Sequence, residues 1–229
     1  MPTASNVHVS SHPLLQAKLS QLRSSSTTTR ETRSLVHEIA TILGVEAFAG
    51  WKSTSTGQTA RTPLDIEYET KGIDPANVAL VPILRSGLGM IDAINDLLPA
   101  PVPIYHLGLF REAFSLQPVE YYNNLPFKRS GESADTNTAA ASVAILLDPI
   151  IATGGTAEAA IHLLREWGVK RVVMLSVLGS EDGVNRAATC WPEGVEVWIG
   201  AVDERCNEKG MIVPGLGDIG DRLFVAIGK

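Results

Sequence analysis

Val143-Ala144-Ile145-Leu146-Leu147-Asp148-Pro149-Ile150-Ile151-Ala152-Thr153-Gly154-Gly155-Thr156 decides how the chain is read. Five apolar residues end on an aspartate and a loop with two glycines follows. Ala157–Trp167 then places Ile161 and Leu164 on one helical face, with Gly168 as a stop signal. A short apolar run of this kind, feeding a helix through a turn, is a strand buried on both faces of a parallel sheet. The rhythm repeats on either side. Val78–Leu84 precedes Arg85-Ser86-Gly87 and a helix marked by Ile91, Ile94 and Leu98, which stops before Pro99. Val102–Leu107 is another apolar run, and Arg171–Leu178 and Val195–Val202 enclose a helix near Asp182–Cys190. The alternation predicts an α/β fold with a parallel sheet flanked by helices. Ligands of such sheets bind beyond the carboxyl ends of the strands, so the loops at Arg85, Asp148 and Asp203 should share one rim.

Upstream, Thr28 and Glu31 have the spacing of a capping box after the Ser24–Thr29 loop. Leu35, Ile39, Ile42 and Leu43 mark the helix that follows, and Gly44 is its expected end. Gly50–Gly72 is polar and reads as a surface hairpin, with a strand at Leu64–Tyr68. Lys128–Ser142 is small, polar and poor in apolar residues, and is expected to be a mobile insertion.

Composition narrows the function. The chain has 229 residues, 45% hydrophobic, enough for one domain with its own core. A net charge of −6 supplies no field to hold a polyanion, which disfavours nucleic-acid binding as the main task. No apolar run is long enough to span a membrane, and no secretory signal pattern opens the sequence. Cys190 and Cys206 form neither a disulfide framework nor a metal quartet, and the five histidines lack ligand spacing. The expected location is the cytoplasm.

The loops carry the chemistry. Thr153, Gly154, Gly155 and Thr156 open a helix, where successive amides and two hydroxyls suit a phosphate. No lysine follows the glycines, so this is not a Walker A loop. Asp148, at a strand tip, can accept hydrogen bonds from sugar hydroxyls. Arg85, a strand-end guanidinium followed by Ser86-Gly87, can clamp a diphosphate, whereas Arg111, also at a strand end, reads on its own as a surface salt-bridge residue. Asp203-Glu204 reads as a solvated acidic pair. Gly215-Leu216-Gly217-Asp218-Ile219-Gly220 matches a dinucleotide fingerprint formally, but too little chain follows for the βαβ unit it requires. The run reads instead as a loop exposing backbone donors and acceptors to a planar base. The four tryptophans are expected to be packing residues.

Together, His12-Pro-Leu-Leu-Gln, Val81-Pro-Ile-Leu-Arg85-Ser-Gly, Pro118-Val-Glu-Tyr-Tyr122, Asp148–Thr156 and Ile212–Arg222 resemble the uracil phosphoribosyltransferases. The resemblance implies a single phosphoribosyltransferase domain. Its parts would be a core over 78–205, a base-binding hood segment over 206–229 with the N-terminal helices beside it, and an insertion at 128–142. It implies transfer of phosphoribose from 5-phosphoribosyl 1-diphosphate (PRPP) to N1 of uracil, giving UMP and diphosphate, with Mg²⁺ held mainly through PRPP. PRPP contacts would fall on Arg85, Arg111, Asp148, Pro149, Ile150, Ile151, Ala152, Thr153, Gly154, Gly155, Thr156 and Asp218. Uracil contacts would fall on Ile212, Gly217, Asp218 and Ile219. Arg85, Arg111 and Asp218 are the catalytic candidates, with no general base assigned. Members form homodimers or larger assemblies, and some respond to GTP. Ser86 and Thr156 stand where the family often has Ala and Ser, Met211 replaces a common aromatic, and Ile219 a common Ala. Rival readings on the same fold are a catalytically silent nucleotide sensor and an RNA-binding regulator.

Overall fold

A computed structural model describes residues 4–111, 118–126 and 141–225. The chain opens with strand β1 (Val7–Val9), helices α1 (Pro13–Arg23) and α2 (Thr29–Phe48), and the hairpin strands β2 (Lys52–Arg61) and β3 (Glu67–Asp74). Strand β4 (Val78–Leu84), a 3-10 turn at Ser86–Met90, helix α3 (Ile91–Asn95), and strands β5 (Leu107–Arg111) and β6 (Pro118–Asn123) come next. Strands β7 (Val143–Leu147) and β8 (Ile150–Ile151), helix α4 (Gly155–Trp167), strand β9 (Arg171–Ser180), helix α5 (Glu181–Thr189) and strand β10 (Val195–Asp203) continue the alternation. The short pair β11 (Arg205–Cys206) and β12 (Ile212–Val213) and helix α6 (Ile219–Phe224) close it.

The main sheet runs β1-β10-β9-β7-β4-β5-β6, with β8 also paired to β9. Every pairing is parallel except β5 with β6. Its interior strands are apolar on both faces because both faces are covered. Leu80, Ile145 and Leu175 point to the side packed by α1, α2 and α3, while Val81, Leu146 and Met174 point to the side packed by α4 and α5. The first of these cores also takes in Ile212, Leu216, Ile219 and Leu223, which tie the C-terminal segment to the N-terminal helices.

The capping box at α2 is present, with the Thr28 hydroxyl accepting from the Glu31 amide and the Glu31 carboxylate accepting from the Thr28 amide. Gly44 does not end that helix, which continues to Phe48. A Cβ at Gly44 would stand 2.6 Å from a Leu97 methyl and 2.8 Å from an Ile94 methyl, so the glycine serves close packing on α3 and its exit. In the hairpin, Leu64 and Ile66 fall in the turn and the second strand starts at Glu67. From Val102–Leu107, Ile104 makes a single bridge to Leu80, and the strand proper starts at Leu107. Strands β1 and β6 were not anticipated. The four tryptophans pack as expected, Trp167 and Trp191 buried, Trp51 tilted against Phe48 and Trp198 stacked on His8. Of the insertion at 128–142, residues 128–140 lie outside those described.

Candidate active site

Strands β4 and β7 are neighbours, but their connections leave in opposite directions, β4 toward β5 and β7 toward β9. The crevice beyond their carboxyl ends is the topological switch point where ligands of open α/β sheets bind. A cavity of about 280 Å³ occupies it. Its lining includes Ile83, Leu84 and Ser86 from the β4 end, Leu109 from β5, Asp148 and Ile150–Gly154 from the β7 loop, Thr156 and Ala157 from α4, and Asp218.

Asp148 is buried at the tip of β7. It accepts from the Ser86 hydroxyl at 3.1 Å, across the switch point, and from the Ile150 amide at 3.5 Å. Burial dominates these bonds and pushes its pKa up to about 7. Ser86 therefore does more than replace an alanine, because its hydroxyl orients the carboxylate. The turn that carries Ser86 needs Gly87, where a Cβ would stand 2.3 Å from the Leu147 carbonyl oxygen.

The Thr153–Thr156 turn is equally constrained. Gly154 has a positive φ of 76°, and a Cβ there would meet the Gly183 carbonyl oxygen at 2.5 Å. Gly155 starts α4, and among the described residues the Thr153 and Thr156 hydroxyls have no hydrogen-bond partner. Thr153, Gly154 and Thr156 line the cavity, so the start of α4 and two free hydroxyls belong to its wall.

A smaller cavity, about 130 Å³, adjoins the first. Gly210, Met211, Ile212, Leu216, Gly217 and Ile219 line it with Leu178, and it shares Ile150, Ala152 and Asp218 with its neighbour. Gly217 has a φ of 78°, and among the described residues its N–H and C=O are not hydrogen-bonded. Asp218 caps α6, one carboxylate oxygen accepting from the Asp221 amide at 3.0 Å.

Arg85 is exposed and reaches toward α6, with Nη2 3.9 Å from where a Cβ on Gly220 would stand. The Leu84–Arg85 peptide is cis. Arg111 ends β5, and its side chain lies outside the described part. Pro149 and Gly155 line neither cavity. The Pro149 carbonyl accepts from Val177 and Leu178, and a side chain at 155 would point toward Arg186 and Pro118.

Asp203 corrects its sequence reading. It is not a solvated acid but the hub of a junction. Arg23 donates to both of its carboxylate oxygens at 2.7 and 2.8 Å, and the Gly215 amide donates to one at 2.9 Å. Burial raises its pKa, but the Arg23 contacts and the Gly215 amide outweigh that and leave it lowered. Arg222 adds donors to the carbonyls of Leu22, Ser24 and Leu216. The loop over the smaller cavity is thereby fixed to the end of α1. Nothing local in the sequence announces this, because Arg23 and Asp203 are 180 residues apart.

As for metals, no cluster of three or more His, Cys, Asp or Glu suited to an ion exists among the described residues.

Residues 9–226 match the family model described as uracil phosphoribosyltransferase. The chain belongs to the uracil phosphoribosyltransferase family. A uracil phosphoribosyltransferase of Geobacillus kaustophilus is 40% identical over 226 residues, covering 95% of this chain and 97% of its own. A Schizosaccharomyces pombe relative, provisionally named as the same enzyme, is 43% identical over 222 residues, covering 97% of this chain and 91% of its own. Among solved structures, the AQ2163 protein of Aquifex aeolicus superposes with a TM-score of 0.82 at 29% identity, over 96% of this chain and 98% of that one. Membership of the uracil phosphoribosyltransferase family accords with the parallel sheet and with a binding crevice at its switch point. No helix among the described residues is long and apolar enough to cross a membrane.

Proposed function

We propose that the protein transfers phosphoribose from PRPP to N1 of uracil, yielding UMP and diphosphate. The observation that carries the reading is the pair of adjoining cavities with shared walls. One is lined by the Thr153–Thr156 turn and the Asp148 carboxylate, and the other is small and has the free backbone N–H and C=O of Gly217 in its wall.

In this assignment the Thr153–Thr156 amides and hydroxyls bind the 5′-phosphate, and Asp148 accepts from the ribose hydroxyls. The diphosphate lies toward Arg85 and Ser86, with Arg111 as a second guanidinium. The C1–O bond breaks as diphosphate leaves, positive charge grows on the ribose, and N1 forms the new bond to C1. Preplaced cationic donors stabilise the departing charge. Asp218 stands where the two cavities meet, so its cap-fixed carboxylate is positioned to take the N1 proton. Holding both reactants in line is worth up to about 7–11 kcal/mol. Mg²⁺ would arrive as the counter-ion of PRPP and be bound through its oxygens, not in a protein cage.

The Gly217 backbone, with donor and acceptor both free, suits the O4 and N3–H edge of uracil. Cytosine presents an amino donor there and would leave a buried N–H unpaired, at a cost of about 1–3 kcal/mol.

Incubation of the protein with PRPP, Mg²⁺ and a panel of uracil, cytosine, 5-fluorouracil and purine bases tests the reading. UMP formation with uracil, and little product with cytosine or purines, is expected. An inert protein, or one that prefers a purine, refutes it.

A further inference from the structure

A guanidinium outside both cavities stands against the back of the phosphate cradle. Arg186, on α5, packs its Cβ where a Gly154 side chain would go, 3.0 Å from the ideal Cβ position. Its Nη1 lies 3.5 Å, and its Cζ 3.7 Å, from the corresponding point on Gly155, the first residue of α4. Nε donates to one carboxylate oxygen of Glu158 at 2.7 Å, and Nη2 is ion-paired with the same oxygen. Among the described residues Nη1 donates to nothing.

Glu158 lies in the first turn of α4. A carboxylate there suits the helix itself, but it places a negative charge beside the amides that would receive a phosphate. A sugar phosphate entering the cradle meets that charge unless it is compensated. Arg186 compensates it and directs its remaining Nη1 donors toward the helix start. The pair also joins α4 to α5, whose Gly183 backbone closes on the loop at Ala152 and Gly154.

We propose that Arg186 is a positioning residue for the 5′-phosphate of PRPP, acting by neutralising Glu158 at the start of α4. The inference rests on the placement of PRPP proposed above. It predicts a specific kinetic pattern, since the charge acts on a group bound equally in ground and transition states.

In Arg186→Gln the KM for PRPP should rise about two- to fivefold, the range of one partly exposed charge acting on a helix terminus, with kcat little changed. The rise should shrink at about 1 M salt, where screening is short-ranged. Adding Glu158→Gln to that variant should restore the KM, and Arg186→Lys should keep most of it. A structural latch between α4 and α5 would behave oppositely, because removing the second partner restores no contact. The idea is overturned by an unchanged KM in Arg186→Gln, or by a double variant as impaired as the single one. Should Arg186→Gln fail to fold, Glu158→Gln alone decides. A lower or equal KM supports the proposal, and a raised KM ends it. Wild-type protein that does not bind PRPP in calorimetry would instead sink the underlying placement, so the two failures are distinguishable.

Discussion

On the proposed assignment, Asp148 serves binding at the expense of the unliganded fold. Its carboxyl is buried, and two modest hydrogen bonds do not replace the water it has lost. The pKa of about 7 against an ordinary 3.8 means that the folded chain holds a proton here which the unfolded chain releases. The contribution of Asp148 to stability is therefore fully present below the ordinary carboxylate pKa and is lost as pH rises through about 7. Without ligand, Asp148→Asn is expected to raise the melting temperature at pH 8, and the gain should shrink toward pH 5. The wild-type slope between those limits should reach at most about 1.4 kcal/mol per pH unit. The same substitution removes an anionic acceptor from the proposed sugar position. Turnover with PRPP should fall by roughly ten- to a hundredfold, the value of a hydrogen bond to a charged group. Calorimetric melting across pH and an initial-rate assay check both halves. A variant no more stable than wild type at pH 8 would show that the carboxylate is not held in an ionisation-disfavouring site.

Elements differ in how far their sequence speaks for them. Strands β4, β7 and β9 are buried almost throughout, so an unbroken apolar run is their only workable composition, and the run can be read directly. Strand β6, Pro118-Val-Glu-Tyr-Tyr-Asn123, is largely exposed and pairs antiparallel at the sheet edge, which leaves no such signature. Strand β1 has three residues and a histidine at its centre. The cradle is legible because a strand, an aspartate, two glycines and a helix follow one another in sequence. The Arg23–Asp203 junction and the Arg186–Glu158 pair are not, because each joins residues from separate elements that only the folded sheet brings together. The Arg23 junction makes its own prediction. It ties α1 and β10 to the loop over the smaller cavity, so Arg23→Ala frees that loop and leaves a largely buried carboxylate unpaired. A loss of about 1–3 kcal/mol in stability is expected. Uracil affinity should weaken while PRPP affinity stays near wild type, since no cradle residue is touched. Equal losses for both ligands in calorimetry would place the effect in the whole fold, not in the loop.

At the scale of the molecule, the two cavities belong to different parts of the chain. The larger cavity hangs from the centre of the sheet, and the smaller one, the proposed base slot, is roofed by a C-terminal loop anchored on the N-terminal helices. They meet at Ile150, Ala152 and Asp218, and two of these three belong to the cradle loop. A ligand that fixes the 148–156 loop therefore also fixes one wall of the slot, and the later ligand finds that wall already ordered. Binding should consequently be cooperative between unlike ligands. On the proposed placement, ribose 5-phosphate with diphosphate and Mg²⁺ would fill the larger cavity without reacting with uracil. Their presence should tighten uracil binding by at least about fivefold, the lower end of typical couplings between sites. By linkage, uracil must tighten binding of the pair by the same factor. Calorimetric titrations in both orders measure the two factors independently. A uracil affinity indifferent to the occupied cradle would mean that the shared residues are rigid before either ligand arrives, and that the two halves of the site act as separate pockets.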